Sequence, residues 1–190
     1  MRQENRDWRD LTPPEARARI GQIAGQLIPS YREGLLLATD QSRLTARSLQ
    51  ESLQDFIEAI VDWMRQYEFD PCAVELAFGL ENAALPVWEI DLGQGHALSF
   101  RGQIDRVDLW KQAGGEEGLC VVIDYKSSGK KLDPILCEQG VQLQLPAYLN
   151  VLRDLKDPRS VFGVGRLVPA GVFYVNLRGA YQNARTRVEA

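Results

Sequence analysis

The chain has 190 residues, 45% hydrophobic and 25% charged, with 16 Gly, 9 Pro and a net charge of −4. Such proportions describe a globular chain that buries a sizeable core without disulfide or metal staples, and they exclude collagen-like, disordered and disulfide-scaffold sequences. No uncharged apolar run approaches the ~20 residues needed to cross a bilayer, and Met1 is followed by Arg2, Glu4, Arg6 and Asp7 in place of an apolar signal core. A cytoplasmic protein with no membrane association is therefore expected. Cys72, Cys120 and Cys137 lack zinc-site spacing and read as reduced thiols. Charge is unevenly placed, with a balance of −7 over residues 1–100 and +3 over 101–190, so a polyanion should meet the second half.

The run Thr12-Pro13-Pro14-Glu15 predicts a helix start. Thr12 caps, Pro13 sits where no N–H is needed and Glu15 closes a capping box. Ala16, Ile20, Ile23 and Leu27 recur at helical spacing until Pro29 breaks or kinks the helix. A second helix is expected from about Ser42 to Tyr67, with an apolar stripe of Leu49, Leu53, Phe56, Ile57, Ile60, Met64 and Tyr67. The period then changes to two, predicting strands near 72–79, 86–92, 96–109 and 119–126. Gly93-Gln94-Gly95 makes a hairpin turn, and a longer loop, Lys111 to Gly118, joins the last two strands as an antiparallel pair. Asp133-Pro134 opens a helix to about Leu155, a final strand covers 171–177, and a polar tail runs from Gln182 to Ala190. This order gives an α+β chain, with a helical extension over residues 1–70 and the strand-containing region over 71–190.

The chemistry concentrates in Gly102-Gln103-Ile104-Asp105-Arg106-Val107-Asp108 and in Val121-Val122-Ile123-Asp124-Tyr125-Lys126. Alternation along a strand sends Asp124 and Lys126 to one face, and it separates Asp105 from Asp108, so only one of those two can join them. Two carboxylates and an ammonium on one edge form an oxygen-donor site for Mg²⁺, which would polarise a scissile phosphate while the lysine stabilises developing charge. A purely structural alternative pairs Asp105 and Asp108 with Arg101 and Arg106 and leaves Asp124–Lys126 as a surface ion pair. His96 reads as a solvated turn residue. Ser127-Ser128-Gly129-Lys130-Lys131 lacks the glycine and hydroxyl of a Walker A loop and reads as a basic turn beside a nucleic-acid path.

The two motifs GQIDRVD and VVIDYKSSG, followed by Gln142-Leu143-Gln144-Leu145-Pro146-Ala147-Tyr148-Leu149, resemble the PD-(D/E)XK nuclease superfamily, and within it the RecB-like nuclease domain of the AddB/RexB type. The resemblance covers roughly residues 70–180. It implies a restriction-endonuclease-like core, in which a central mixed β-sheet is flanked by helices and residues 1–70 pack on it as an N-terminal helical extension. It makes Asp105 and Asp124 metal ligands, Lys126 the catalytic lysine and the Tyr125 carbonyl a further ligand. Glu75 becomes an outer or third ligand, and Gln144 and Tyr148 match the family's Gln-x-x-x-Tyr pattern, sharing one helix face. The implied activity is Mg²⁺-dependent exonuclease cleavage of DNA, with Mn²⁺ substituting, on strands delivered by a helicase partner in DNA repair and recombination. The alternative is an inactive nuclease-fold domain that binds DNA or protein. The chain reads as a piece of a larger protein, which in such relatives can carry an iron-sulfur cluster whose cysteines this sequence does not show.

Overall fold

A computed structural model describes residues 8–127 and 129–177, so the polar tail lies outside the described residues. The chain divides into two compact units, one ending at Glu68 and the other beginning at Phe69. In the first, α1 (Pro13–Ser30) and α2 (Asp40–Met64) pack on one another, with a single 3₁₀ turn at Trp8–Asp10 and another at Leu35–Leu37. Thr12 and Glu15 form the expected capping box, and Thr39 and Ser42 form a second one that starts α2 ahead of its predicted first residue. Pro29 does not end α1, which runs on to Ser30. The apolar stripes are buried only in part: Ala16 and Val61 form a small core with Leu11, Trp8 and Ile57, whereas Leu27 and Leu49 stay exposed. Arg17 ties the two helices together, donating to Asp55 at 2.6 Å and Glu58 at 2.9 Å.

The second unit is built on a four-stranded mixed sheet of order β1-β4-β5-β6, from β1 (Asp70–Phe78), β4 (Gly102–Lys111), β5 (Glu117–Lys126) and β6 (Arg166–Asn176). β1, β4 and β5 run antiparallel, and β6 returns parallel to β5. A parallel return needs a crossover, and the chain supplies it through α3 (Pro134–Glu138), α4 (Gln144–Arg153) and α5 (Arg159–Phe162). Leu145, Val151 and Leu152 of α4 close over Cys120 and Val122 of β5 and Val107 and Leu109 of β4 to form the main core.

Three expectations change. The single strand over 96–109 is two strands: β3 (His96–Phe100) pairs with β2 (Trp88–Gly93) as a separate hairpin, and Arg101 divides it from β4. The helix over 134–155 is also two, because Gly140 adopts a left-handed conformation (φ 76°) that stops α3 and redirects the chain into α4. Pro146 consequently lies in the first turn of α4, where its missing N–H costs nothing, and it does not kink the helix. The last strand begins at Arg166, five residues before its expected start.

Gly79, just past the end of β1, has φ +66°, and a Cβ there would stand 3.0 Å from the Phe100 carbonyl oxygen and 3.1 Å from the Val87 Cα. Gly79→Ala should lower the unfolding free energy by about 1–3 kcal/mol, read as a reduced urea midpoint with an unchanged slope.

Candidate active site

The site lies where β4 parts from β5. Their ladder runs from Lys111↔Gly118 to Arg106↔Ile123, whereas β4 stays beside β1 as far as Gly102↔Phe78. At the parting the Tyr125 N–H is met by a side chain: Asp105 Oδ2 accepts it at 2.8 Å. On the other side β6 follows β5 to its end, with Asp124 opposite Tyr174 and Lys126 opposite Asn176.

Alternation is reset at this level in both β1 and β4. Leu76 and Phe78 are buried in the core, yet Val74 is 67% exposed and Ala73 packs inward; Glu75, next to Val74, has φ 50°. In β4 the inward positions pass from Ile104 to Val107 and Leu109, with Asp105 and Arg106 at the change. Asp105 and Asp108 nevertheless go to separate partners, Asp105 to the Tyr125 amide and Asp108 to Arg106. Asp108 pairs with Arg106 through two parallel bonds of 2.6 and 2.7 Å, and Arg106 also donates to the Tyr125 hydroxyl at 3.1 Å. Arg106 is therefore an orienting residue for β5, where the sequence offered it only as an ion-pair partner.

On the core face, Asp124 is buried and its Oδ2 lies 2.5 Å from Lys126 Nζ. The contact is a close ion pair, and no donor other than Lys126 meets this oxygen among the described residues. Lys126 donates to Gln144 Oε1 at 3.2 Å, and Gln144 Nε2 donates to the Tyr148 hydroxyl at 3.1 Å. The Tyr148 ring meets Phe78 edge-on at 5.9 Å and packs on the core, so its ring is structural while its hydroxyl ends the polar chain. Burial pulls the Lys126 pKa down, and Asp124, Asp105 and Tyr174 more than reverse this, leaving it raised. The lysine is thus held as an ammonium at neutral pH.

The structure gathers Asp105, Asp124, Tyr125, Lys126, Gln144 and Tyr148 around the end of β5. Glu75 is not gathered with them. Its carboxylate is exposed and accepts a hydrogen bond from Gln103, and no three His, Cys, Asp or Glu side chains form a metal-holding group among the described residues. Glu75 has a left-handed backbone, φ 50°, a feature with no signal in a strand pattern. His96 is exposed on the β2–β3 hairpin, and Cys72, Cys120 and Cys137 form no disulfide, the Cys72 thiol donating to the Val107 carbonyl at 3.2 Å. Burial pushes the Cys72 thiol up to about 12 and the Cys120 thiol up to about 11, leaving both inert.

The chain belongs to the PD-(D/E)XK nuclease superfamily, whose family description matches residues 6–190, and its mixed sheet flanked by helices is the α+β, restriction-endonuclease-like arrangement of that group. It is similar to a B-type subunit of the ATP-dependent helicase/deoxyribonuclease from Symbiobacterium thermophilum, 36% identical over 168 residues, which is 88% of this chain and 14% of the relative. The proteins of the same name from Moorella thermoacetica and Anoxybacillus flavithermus are each 33% identical, over 90% and 92% of this chain and 14% and 15% of their own length. The chain thus spans about one seventh of these relatives. Among the described residues no helix is long and apolar enough to cross a membrane.

Removing one half of the buried Arg106–Asp108 pair deprives the other of its two-bond charged partner. Asp108→Ala should cost about 3–5 kcal/mol of stability, and the double change Arg106→Met with Asp108→Leu should recover most of it. Chemical denaturation of the single and double variants checks both statements.

Proposed function

We propose that this chain is a divalent-metal-dependent deoxyribonuclease domain that hydrolyses DNA phosphodiesters as an exonuclease, within a helicase–nuclease acting in DNA repair and recombination. The observation that carries the reading is the convergence of Asp105, Asp124, Lys126 and Gln144 at the parted end of β5. The names of the relatives support the DNA substrate and the motor partner.

The donor set fits a hard cation. The Asp105 and Asp124 carboxylates and the Tyr125 carbonyl all offer oxygen donors, and the buried Asp124 Oδ2 is met only by the Lys126 ammonium among the described residues. Mg²⁺ commonly takes only one or two protein carboxylates and fills its remaining positions with water and substrate phosphate, so a third acidic side chain is not required. When bound, the cation polarises the scissile phosphate and lowers the pKa of an attacking water.

The chain's own groups do the remainder. Gln144 and Asp124 occupy two sides of the Lys126 ammonium, which has three N–H donors. The third is left to stabilise negative charge on the phosphate as it develops. Gln144 fixes the direction of that donor, and the Tyr148 hydroxyl fixes Gln144. Asp105 is held by the Tyr125 amide through one oxygen, which sets its carboxylate plane relative to β5.

In the intact protein, Asp105→Ala, Asp124→Ala and Lys126→Ala should each reduce cleavage of linear DNA by at least roughly 100-fold while keeping a cooperative melt. Chelation should abolish cleavage, and Mg²⁺ or Mn²⁺ should restore it. Wild-type cleavage by Asp124→Ala would overturn the proposal. Tyr148→Phe should cost about 1 kcal/mol of stability and reduce kcat less than Lys126→Ala, since it loosens Gln144 without removing a charge.

A further inference from the structure

The basic turn after β5 is not absorbed by the reaction centre, and one of its lysines is positioned in an unusual way. The Asn176 side chain fastens the Lys130 backbone at both of its polar groups: Asn176 Oδ1 accepts from the Lys130 N–H at 2.9 Å, and Asn176 Nδ2 donates to the Lys130 carbonyl at 3.3 Å. Asn176 lies opposite Lys126 in the β5–β6 pairing, so this clamp ties the turn to the end of the strand that carries the site. From there the Lys130 ammonium reaches 5.0 Å from the centre of the Tyr174 ring, and Lys126 Nζ stands 5.6 Å from the same centre. Tyr174 is itself the β6 residue opposite Asp124.

A carboxylate partner would both place a lysine and neutralise it. An aromatic face places it and leaves the whole charge available, because the attraction is to the ring quadrupole. Among the described residues Lys130 pairs with no carboxylate, whereas Lys126 is engaged by Asp124.

We propose that Lys130 is a second phosphate-binding group of the site, positioned by the Tyr174 ring and the Asn176 clamp to hold a backbone phosphate of the DNA strand next to the one attacked. This rests on the nuclease reading above and adds to it a residue that binds and registers the strand without taking part in bond cleavage. Tyr174 acts as a positioning residue through its ring. Its hydroxyl is buried without a hydrogen-bond partner among the described residues and contributes nothing to this role.

The test uses the intact protein and a fluorescein-labelled single-stranded oligonucleotide. Binding is measured by anisotropy in Ca²⁺ across a salt series, and cleavage kinetics are measured in Mg²⁺. Lys130→Ala should weaken binding roughly five- to tenfold and flatten the slope of log K against log salt by about 0.7, the loss of one single-strand phosphate contact. The cleavage defect should fall mainly on KM, in contrast to Lys126→Ala, whose defect falls on kcat. Tyr174→Leu should weaken binding in the same direction, Tyr174→Phe should keep the affinity, and Lys156→Ala, which removes an exposed lysine elsewhere on this unit, should keep the slope. Wild-type affinity and slope in Lys130→Ala would overturn the assignment, as would an equal loss in Lys156→Ala or a defect in Lys130→Ala that merely tracks a lowered melting temperature. If the wild-type protein fails to bind or cleave DNA, or Asp124→Ala cleaves normally, the nuclease reading falls and this inference with it. Normal cleavage together with unaltered Lys130→Ala binding removes the Lys130 assignment alone.

Discussion

The hydrogen bond from the Tyr125 amide to the Asp105 carboxylate is the constraint on which the site depends. A strand leaving its neighbour exposes amides that must find other partners or lose about 1–3 kcal/mol each if buried. Here the departing strand supplies that partner from its own side chain. The same bond that satisfies β5 holds one carboxylate oxygen of Asp105 at the strand end, close enough to Lys126 to raise its pKa together with Asp124. Opening the sheet and assembling the site are therefore one structural event. The pairing of β5 with β6 as far as Lys126↔Asn176 keeps the other side rigid while this happens.

The two faces of β5 then divide the work. Toward α4, Cys120 and Val122 enter the core and lead directly to Asp124 and Lys126, so these two side chains sit at the rim of a packed layer. On the opposite face Arg106 holds both Asp108 and the Tyr125 hydroxyl. Tyr125 is consequently fixed by its amide and its hydroxyl, which leaves its carbonyl direction determined. Such preorganisation is what electrostatic stabilisation of a phosphoryl transition state requires, since the charges must already be aimed before the reaction begins.

Much of this was legible in the sequence. The capping box at Thr12, the Gly93–Gly95 turn, the antiparallel pairing of β4 with β5 and the shared face of Asp124 and Lys126 follow from spacing and local chemistry. Gln144 and Tyr148 stood out through the resemblance to the family's Gln-x-x-x-Tyr pattern, and the structure adds the hydrogen bond between them. What could not be read were features that depend on backbone resets or on distant partners. The left-handed Glu75 leaves no trace in a β pattern, so nothing in the sequence set its carboxylate apart from Asp105 and Asp124. Gly140 divides a stretch that is apolar at helical spacing, and Arg101 divides one that alternates like a single strand. Tyr174 and Asn176 lie over forty residues from the lysines they serve, and only the parallel return of β6 brings them together.

The proposed nuclease site requires Asp105 and Asp124 to share one divalent cation at the end of β5. The most direct measurement is a crystal structure of the intact protein soaked with Mn²⁺, with anomalous difference density used to locate the ion. The expected result is a peak bounded by the two carboxylates and the Tyr125 carbonyl, with Lys126 beside it. A well-occupied ion held elsewhere, such as at Glu75, with Asp105 and Asp124 left unoccupied, would contradict it.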